Sequence, residues 1–456
     1  MADYLPETLM YSVGEVREVS RNRFKIFSVS ADTASANKIV NFVLPENALI
    51  DMKSVKMFFD VACTGAGAGA DAVLCKLPNY TSTMISRLEV FANGVALSAG
   101  SSLYGTIAHV LRLSQSNIDK DNSVDRALHH SYITGDNFND DESLCLSDLG
   151  GFFDGSTRYL NTGLIGSISI RATFAPNSVL VPKQTAVNVG QNFTTPAALA
   201  NAQQCSYQVS KMYMTVDTIS LPQLYTDFLR ERLEGGGLKY NYEEHYSFQM
   251  DGIAGNTTNS STALRFALST GCLTSCWGTY QDQNANGVVG IPCHSLPNAA
   301  GVSSEIANCL RFRSYSGETK KAGPASYEWV VNSVRYPQWK SSWVDGLAAV
   351  AYTQDKVDKD TSGTLITSAA SYNDGKFVFP LMLNLPTGRG VGIMAGMSSR
   401  GINSQMVFQS GQQTIPAAPV PPSLDLNNSG TASCFVVAST VSQLRINLGR
   451  DLQVIY

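Results

Sequence analysis

A chain of 456 residues has room for two or three domains, and 44% hydrophobic content supports a sizeable core. Charged residues are only 15%, against roughly 25% in an average soluble domain, and the net charge is −4 with no basic terminal tail. A polybasic arm that neutralises nucleic acid is therefore disfavoured, and no apolar run approaches the ~18 residues that suggest a membrane span. A surface so poor in charge is expected to be covered by other chains or by Ser, Thr, Asn and Gly. The opening MADYLPETLM lacks the basic flank and apolar core of a signal peptide. The nine cysteines are scattered and odd in number, which fits synthesis in a reducing compartment rather than a disulfide scaffold.

In chain order, Val55, Met57, Phe59 and Val61 alternate with Lys56, Phe58 and Asp60, the period of a half-buried strand. The run SRLEVFANGVAL predicts a hairpin about Asn93-Gly94. A helix follows, with Leu103, Ile107, Val110 and Leu111 on one face. Ile168, Ile170, Ala172 and Phe174 mark another strand.

At mid-chain the rhythm changes. Ser220 can cap a helix, and Leu221, Leu224, Tyr225, Phe228 and Leu229 give it an apolar face. Gly235 to Gly237 stop it. From there the period becomes two, with Tyr240, Tyr242, Glu244, Tyr246, Phe248 and Met250 on one side. Glu244 is the exception on an otherwise aromatic inner face.

The second half continues with Leu264, Phe266 and Leu268, then the strand pattern YEWVVNSVRYPQW. A helix again follows, with Trp343, Leu347, Val350 and Ala351 on one face. Phe377, Phe379, Leu381, Leu383 and Leu385 line a strand that Pro380 confines to an edge or bulge. Leu444, Ile446, Leu448, Gly449, Leu452 and Val454 close the chain.

The two helices share the spacing i, i+4, i+7, i+8. Each follows a strand pattern and a serine pair, Ser101-Ser102 and Ser341-Ser342. One domain-sized unit used twice accounts for this. The expected fold is all-β: two consecutive jelly-roll sandwiches of about eight strands, with short helices in the loops. The expected division is residues 1–220, a helical connector and Gly-rich turn over 221–239, and residues 240–456. Asp119–Tyr159, Asn177–Cys205 and Ser410–Ser433 are expected as loops too long for idle turns in a compact domain. TIPAAPVPPSLD, within the last of these, is stiff and extended by composition.

Four segments carry a family likeness: LPNYTSTMISRLEVFANGVAL, NTGLIGSISIRATFAPNSVL, YQVSKMYMTVDTISLPQLYTDFLRERLEGGGLKYNYEEHYSFQM and ASCFVVASTVSQLRINLGRDLQVIY. In this order they resemble the double jelly-roll major capsid proteins of double-stranded DNA viruses, including polinton-like viruses, virophages and nucleocytoplasmic large DNA viruses. The resemblance implies a structural subunit without enzymatic activity, located in the virion. It further implies homotrimeric, pseudo-hexagonal capsomers tiling an icosahedral shell. The partners would be further copies of itself, a separate penton protein at fivefold positions and minor or cement proteins. Sequence-specific nucleic-acid binding and membrane insertion are not expected.

Several patterns invite chemistry. Cys272, Cys276 and Cys293-His294 can be drawn as a zinc site, but the spacing is permissive and no second close pair follows. Gly390-x-Gly392-x-x-Ala395 imitates a dinucleotide loop, yet Gly396, Ser398, Ser399 and Gly401 break any helix after it. Asp358-x-Asp360-x-Ser362-Gly363 opens like a calcium loop, but its closing position is Ala369, which cannot ligate. Asp136, Asp140, Asp141 and Glu142 form an acidic patch best read as solvated loop. His109, His129, His130, His245 and His294 have no Ser, Cys or Asp at triad spacing. Asn79, Asn192, Asn256 and Asn259 head glycosylation sequons, read as chance matches in an Asn/Thr-rich chain. No catalytic, cofactor-binding or metal residue is therefore assigned. The alternative functions are a carbohydrate- or receptor-binding viral β-sandwich, marked by a saturable glycan site, and a β-sandwich hydrolase, which would need a convergent acid pair or triad.

Overall fold

Among the described residues, twelve strands form up to Ser220. They are β1 (Ser20–Phe27), β2 (Ala34–Ser35), β3 (Ile39–Val43), β4 (Leu49–Thr64), β5 (Val73–Lys76) and β6 (Ile85–Ala92), followed by β7 (Val95–Ser98), β8 (Glu142–Leu146), β9 (Tyr159–Asn161), β10 (Ile168–Phe174), β11 (Val181–Gln184) and β12 (Ser206–Ser220). The computed structural model describes residues 20–78, 80–98, 103–115, 142–147, 149–185, 196–220, 231, 237–254, 261–282, 326–342, 344–350, 372, 377–383, 396–409 and 431–456. Two four-stranded antiparallel sheets face each other, in the orders β1-β12-β4-β8 and β3-β10-β6-β7. Short β2 and β9 extend the first sheet, and β5 pairs with β11 in a separate ribbon.

The alternation along each strand decides what lies inside. Met57, Phe59, Val61 and Cys63 of β4 are buried, while Phe58, Asp60 and Ala62 are only half-buried on the outer face. Ile168, Ile170, Ala172 and Phe174 meet them from the opposite sheet, and the Phe59 and Phe174 rings pack edge to face with centroids 5.4 Å apart.

Among the described residues nine strands follow: β13 (Leu238–Ala254), β14 (Ser261–Ala267), β15 (Leu273–Asp282), β16 (Ser326–Val331), β17 (Val334–Ser341), β18 (Phe379–Met382), β19 (Asn403–Gln409), β20 (Thr431–Ile446) and β21 (Leu452–Ile455). Their sheets run β13-β20-β15-β18, with β21 beside β20, and β14-β19-β16-β17. Tyr280, Tyr327, Trp329, Phe377 and Phe379 fill this second core. Counted over the eight principal strands of each half, the sheet orders are identical: 1-8-3-6 and 2-7-4-5. Among the described residues, no strand up to Ser220 pairs with a strand after Leu238.

The hairpins show the repeat at residue level. Asn93 and Gly94 turn β6 into β7 with φ of 47° and 81°. Asn332 and Ser333 turn β16 into β17 with φ of 49° and 66°, the same mirror-image turn without glycine. The helix Tyr104–Gln115 follows the first hairpin, and residues 344–350 are helical after the second. Trp343 and Ala351, expected on the second helix face, lie outside the described residues. Pro380 sits in β18, at the edge of its sheet, where its missing N–H leaves no ladder position unfilled.

Two expected loops contain structure. Asp119–Tyr159 includes β8, whose Leu144 and Leu146 are buried, and a turn of 3-10 helix at Gly151–Asp154. ESLCL is too short, and too close to acidic residues, to stand out by periodicity. Asn177–Cys205 includes β11 and the helix Pro196–Gln204, which buries Ala198 and Ala202. The signal there is the alanine-rich AALANAQQ, a good helix former without a large apolar face. Most of the expected connector helix lies outside the described residues. Glu231 within it is helical, and Gly237 has φ of 80°. Residues 410–430, including the proline-rich stretch, also lie outside.

Candidate assembly interface

The helix Tyr104–Gln115 forms one joint between the halves. One side rides on its own sandwich. A Cβ on Gly105 would stand 3.0 Å from the Cα of Thr83, so glycine permits the close approach to the Thr81–Met84 turn. The other side carries Ile107 and Val110, with Leu103 and Leu111 at the margin. These pack on Trp277, Val378, Phe435 and Val437 of the second half.

Strand parity explains why that surface exists. Cys276, Tyr280, Cys434 and Val436 point into the second core, whereas Trp277, Phe435 and Val437 point the other way. Trp277 and Val437 are directly opposite on β15 and β20. The Trp277 indole N–H donates to Ser275 Oγ at 3.1 Å, so its polar atom is satisfied in an apolar contact. The sheet β13-β20-β15-β18 is thus covered on both faces.

A second contact lies along β13. Tyr240 donates its hydroxyl to the Phe152 carbonyl at 2.6 Å, and Tyr242 donates to the Leu97 carbonyl at 2.7 Å. Both rings pack on Phe152, with centroids 5.2 and 5.3 Å away. Burial pushes both phenols above the usual tyrosine range. A Cβ on Gly155 would fall 2.2 Å from the Tyr240 ring, so the loop comes this close only because that residue is glycine. Glu244, the exception on this face, is buried and accepts from Tyr246 at 2.9 Å and Ser442 at 3.3 Å.

The first half also holds a charged network. Asp51 and Asp217 face each other on β4 and β12, and both are buried. Arg23 Nε donates to Asp217 at 2.7 Å, Arg21 Nε at 2.8 Å, and Arg158 donates to Asp51 at 2.9 Å. The Arg23 hydrogen bond, with Arg21 beside it, holds the Asp217 carboxyl below its ordinary range against the opposing effect of burial. Sequence periodicity could not reveal this network, because it joins four distant segments.

The chemical patterns fare as follows. Cys276 is fully buried in the second core, where desolvation pushes its thiol up to about 12, far from the thiolate that zinc needs. Cys272 is half-buried, and Cys293 and His294 lie outside the described residues. His245 Nδ1 lies 2.9 Å from Ser439 Oγ, and His109 is buried beside the Tyr80 ring. His129, His130, Asp136, Asp140, Asp141, the calcium-like run 358–369, the glycine run 390–395 and the sequon residues Asn79, Asn192, Asn256 and Asn259 lie outside. Glu142 begins β8. Among the described residues no group of three His, Cys, Asp or Glu is placed to hold a metal ion.

No protein-family model matches the chain, and no curated protein matches it in sequence. Solved structures do match in three dimensions. PBCV-1 Vp54, a crystal structure fitted into a reconstruction of the virophage Sputnik, is 14% identical, covers 96% of this chain and 97% of its own, and has a TM-score of 0.59. The Faustovirus major capsid protein is 10% identical, with 94% and 91% coverage and a TM-score of 0.52. The mavirus major capsid protein is 10% identical, with 95% and 90% coverage and a TM-score of 0.50. Likeness over both halves at such low identity is a likeness of fold, and the fold of this chain is the double jelly roll.

Proposed function

We propose that the chain is a major capsid protein, a structural subunit of an icosahedral virion shell without enzymatic activity. The observation that carries this reading is the end-to-end match of both sandwiches, in order, to viral capsid proteins. The two units are residues 1–220 and 240–456, with 221–239 as connector. Three copies form a trimer whose six similar sandwiches make a pseudo-hexagonal capsomer. Such an object fills hexagonal positions but not fivefold ones, so a separate penton protein closes the vertices. The low charge content suits a surface spent largely on neighbouring copies.

The test combines two measurements. Sedimentation of the purified chain is expected to give a trimer. Electron microscopy of the particle from which it comes is expected to show a closed shell, with a second protein at the vertices. A stable monomer with a saturable glycan site, absent from any shell, would overturn the reading.

A further inference from the structure

The joint inside the chain has a helix as plug and an outward sheet face as socket, and each half carries the same parts in the same strand order. Among the described residues, one plug and one socket are used within the chain. The plug of the second half is the helix at 344–350. Its position following β17 matches that of Tyr104–Gln115 following β7. Gly346, Leu347 and Val350 turn toward Phe377, Phe379 and Tyr372 of their own sandwich. The other side is open: Val344 is 52% exposed, and Trp339 on the adjoining strand is 61% exposed.

The unused socket is the outer face of β1-β12-β4-β8. Across it Phe27, Tyr213, Phe58 and Cys145 stand directly opposite one another in one row. In the covered sheet one row across the equivalent strands is Ser247, Val437, Trp277 and Pro380. Trp277 and Val437 there receive Ile107 and Val110 in a single apolar cluster. In the row Phe27, Tyr213, Phe58 and Cys145, Cys145 is buried, Phe58 and Tyr213 are half-buried and stack at 5.1 Å, and Phe27 is 62% exposed. Lys25 lies 3.7 Å over the Tyr213 ring and 5.2 Å over the Phe27 ring, and Phe27 remains exposed.

We infer that the open plug of one copy, Trp339 with the outer side of the helix at 344–350, docks on the aromatic row Phe27–Tyr213–Phe58 of the next copy. The inference rests on the capsomer reading and adds the surfaces to it. The contact is head-to-tail, because plug and socket are different surfaces, and such contacts either close into a ring or run on as a filament. Repeating the in-chain joint between copies gives every sandwich the same two neighbours, which is the condition for a six-sandwich ring from three chains.

The test uses full-length Phe27→Glu and Val344→Glu chains, both altered at exposed positions, with circular dichroism to verify folding. Each alone is expected to self-associate about a hundredfold more weakly than the native chain, since a charge must be buried without a partner. Mixed, they are expected to form a one-to-one dimer and stop. The Val344→Glu chain keeps an intact socket and the Phe27→Glu chain an intact plug. Independently, an amine cross-linker applied to mixed heavy- and light-isotope native chains is expected to join Lys25 or Lys56 of one copy to Lys340 of another. A native trimer that survives both substitutions and lacks that cross-link would overturn the inference while leaving the capsomer reading intact. A native chain that never trimerises would overturn the capsomer reading itself.

Discussion

Asp217 shows how a single residue ties pH to the stability of the first sandwich. Its carboxyl is held below the ordinary range by Arg23 and Arg21, so folding favours the charged form. That contribution is complete above the pH at which an unfolded aspartate titrates, near 4, and is lost as pH falls through the depressed native value. Both arginines are more than half exposed, so solvent screens the pairing. Asp217→Asn is therefore expected to cost about 1 kcal/mol at neutral pH, a gap that closes in acid. Urea unfolding of both proteins at pH 7 and pH 3 measures it; an equal gap at the two pH values would contradict the assignment. None of this was legible in the sequence, where Arg21, Asp51, Arg158 and Asp217 are unrelated letters. By contrast, Met57, Phe59, Val61, Tyr240 and Tyr242 were legible as buried, because period-two alternation survives any tertiary arrangement.

At the scale of elements, the paired hairpins and helices carry the duplication. Asn93-Gly94 announces its turn, and Asn332-Ser333 makes the same turn without the residue best suited to it. Ser333 at φ of 66° accepts a left-handed conformation that costs a side-chain-bearing residue about 1–2 kcal/mol. Ser333→Gly is thus expected to stabilise the second half by about 0.5–1 kcal/mol, read as a higher urea midpoint. The first helix face was also legible, since spacing i, i+4, i+7, i+8 gives one stripe, and of the second face Leu347 and Val350 are described. Which surface each stripe meets was not legible: Ile107 and Val110 reach across to the other half, while Leu347 and Val350 turn into their own. Trp277 is the centre of the crossing contact. Trp277→Ala is expected to cost about 3–5 kcal/mol and to split one unfolding transition into two, because the halves lose their shared core. A calorimetric trace that remains a single transition would show that the halves are coupled elsewhere, through Tyr240 and Tyr242.

For the whole molecule, the same chemistry recurs on different lengths. The in-chain joint is apolar, its tryptophan satisfied locally, and the proposed contact between copies repeats that composition. Apolar burial contributes roughly 25 cal/mol per Å² removed from water and is little affected by screening. Charges at 15% and a net charge of −4 give copies no strong long-range attraction. In the proposed shell, contacts between capsomers are expected to be smaller and more polar, so they should depend more on exposed charge and yield to salt sooner. Raising ionic strength in steps should therefore release intact trimers from shells well before any trimer separates. Light scattering against salt concentration follows this directly: a plateau at the trimer mass is expected, and passage straight from shell to folded monomer at moderate salt would show that ionic contacts, not apolar ones, hold the capsomer.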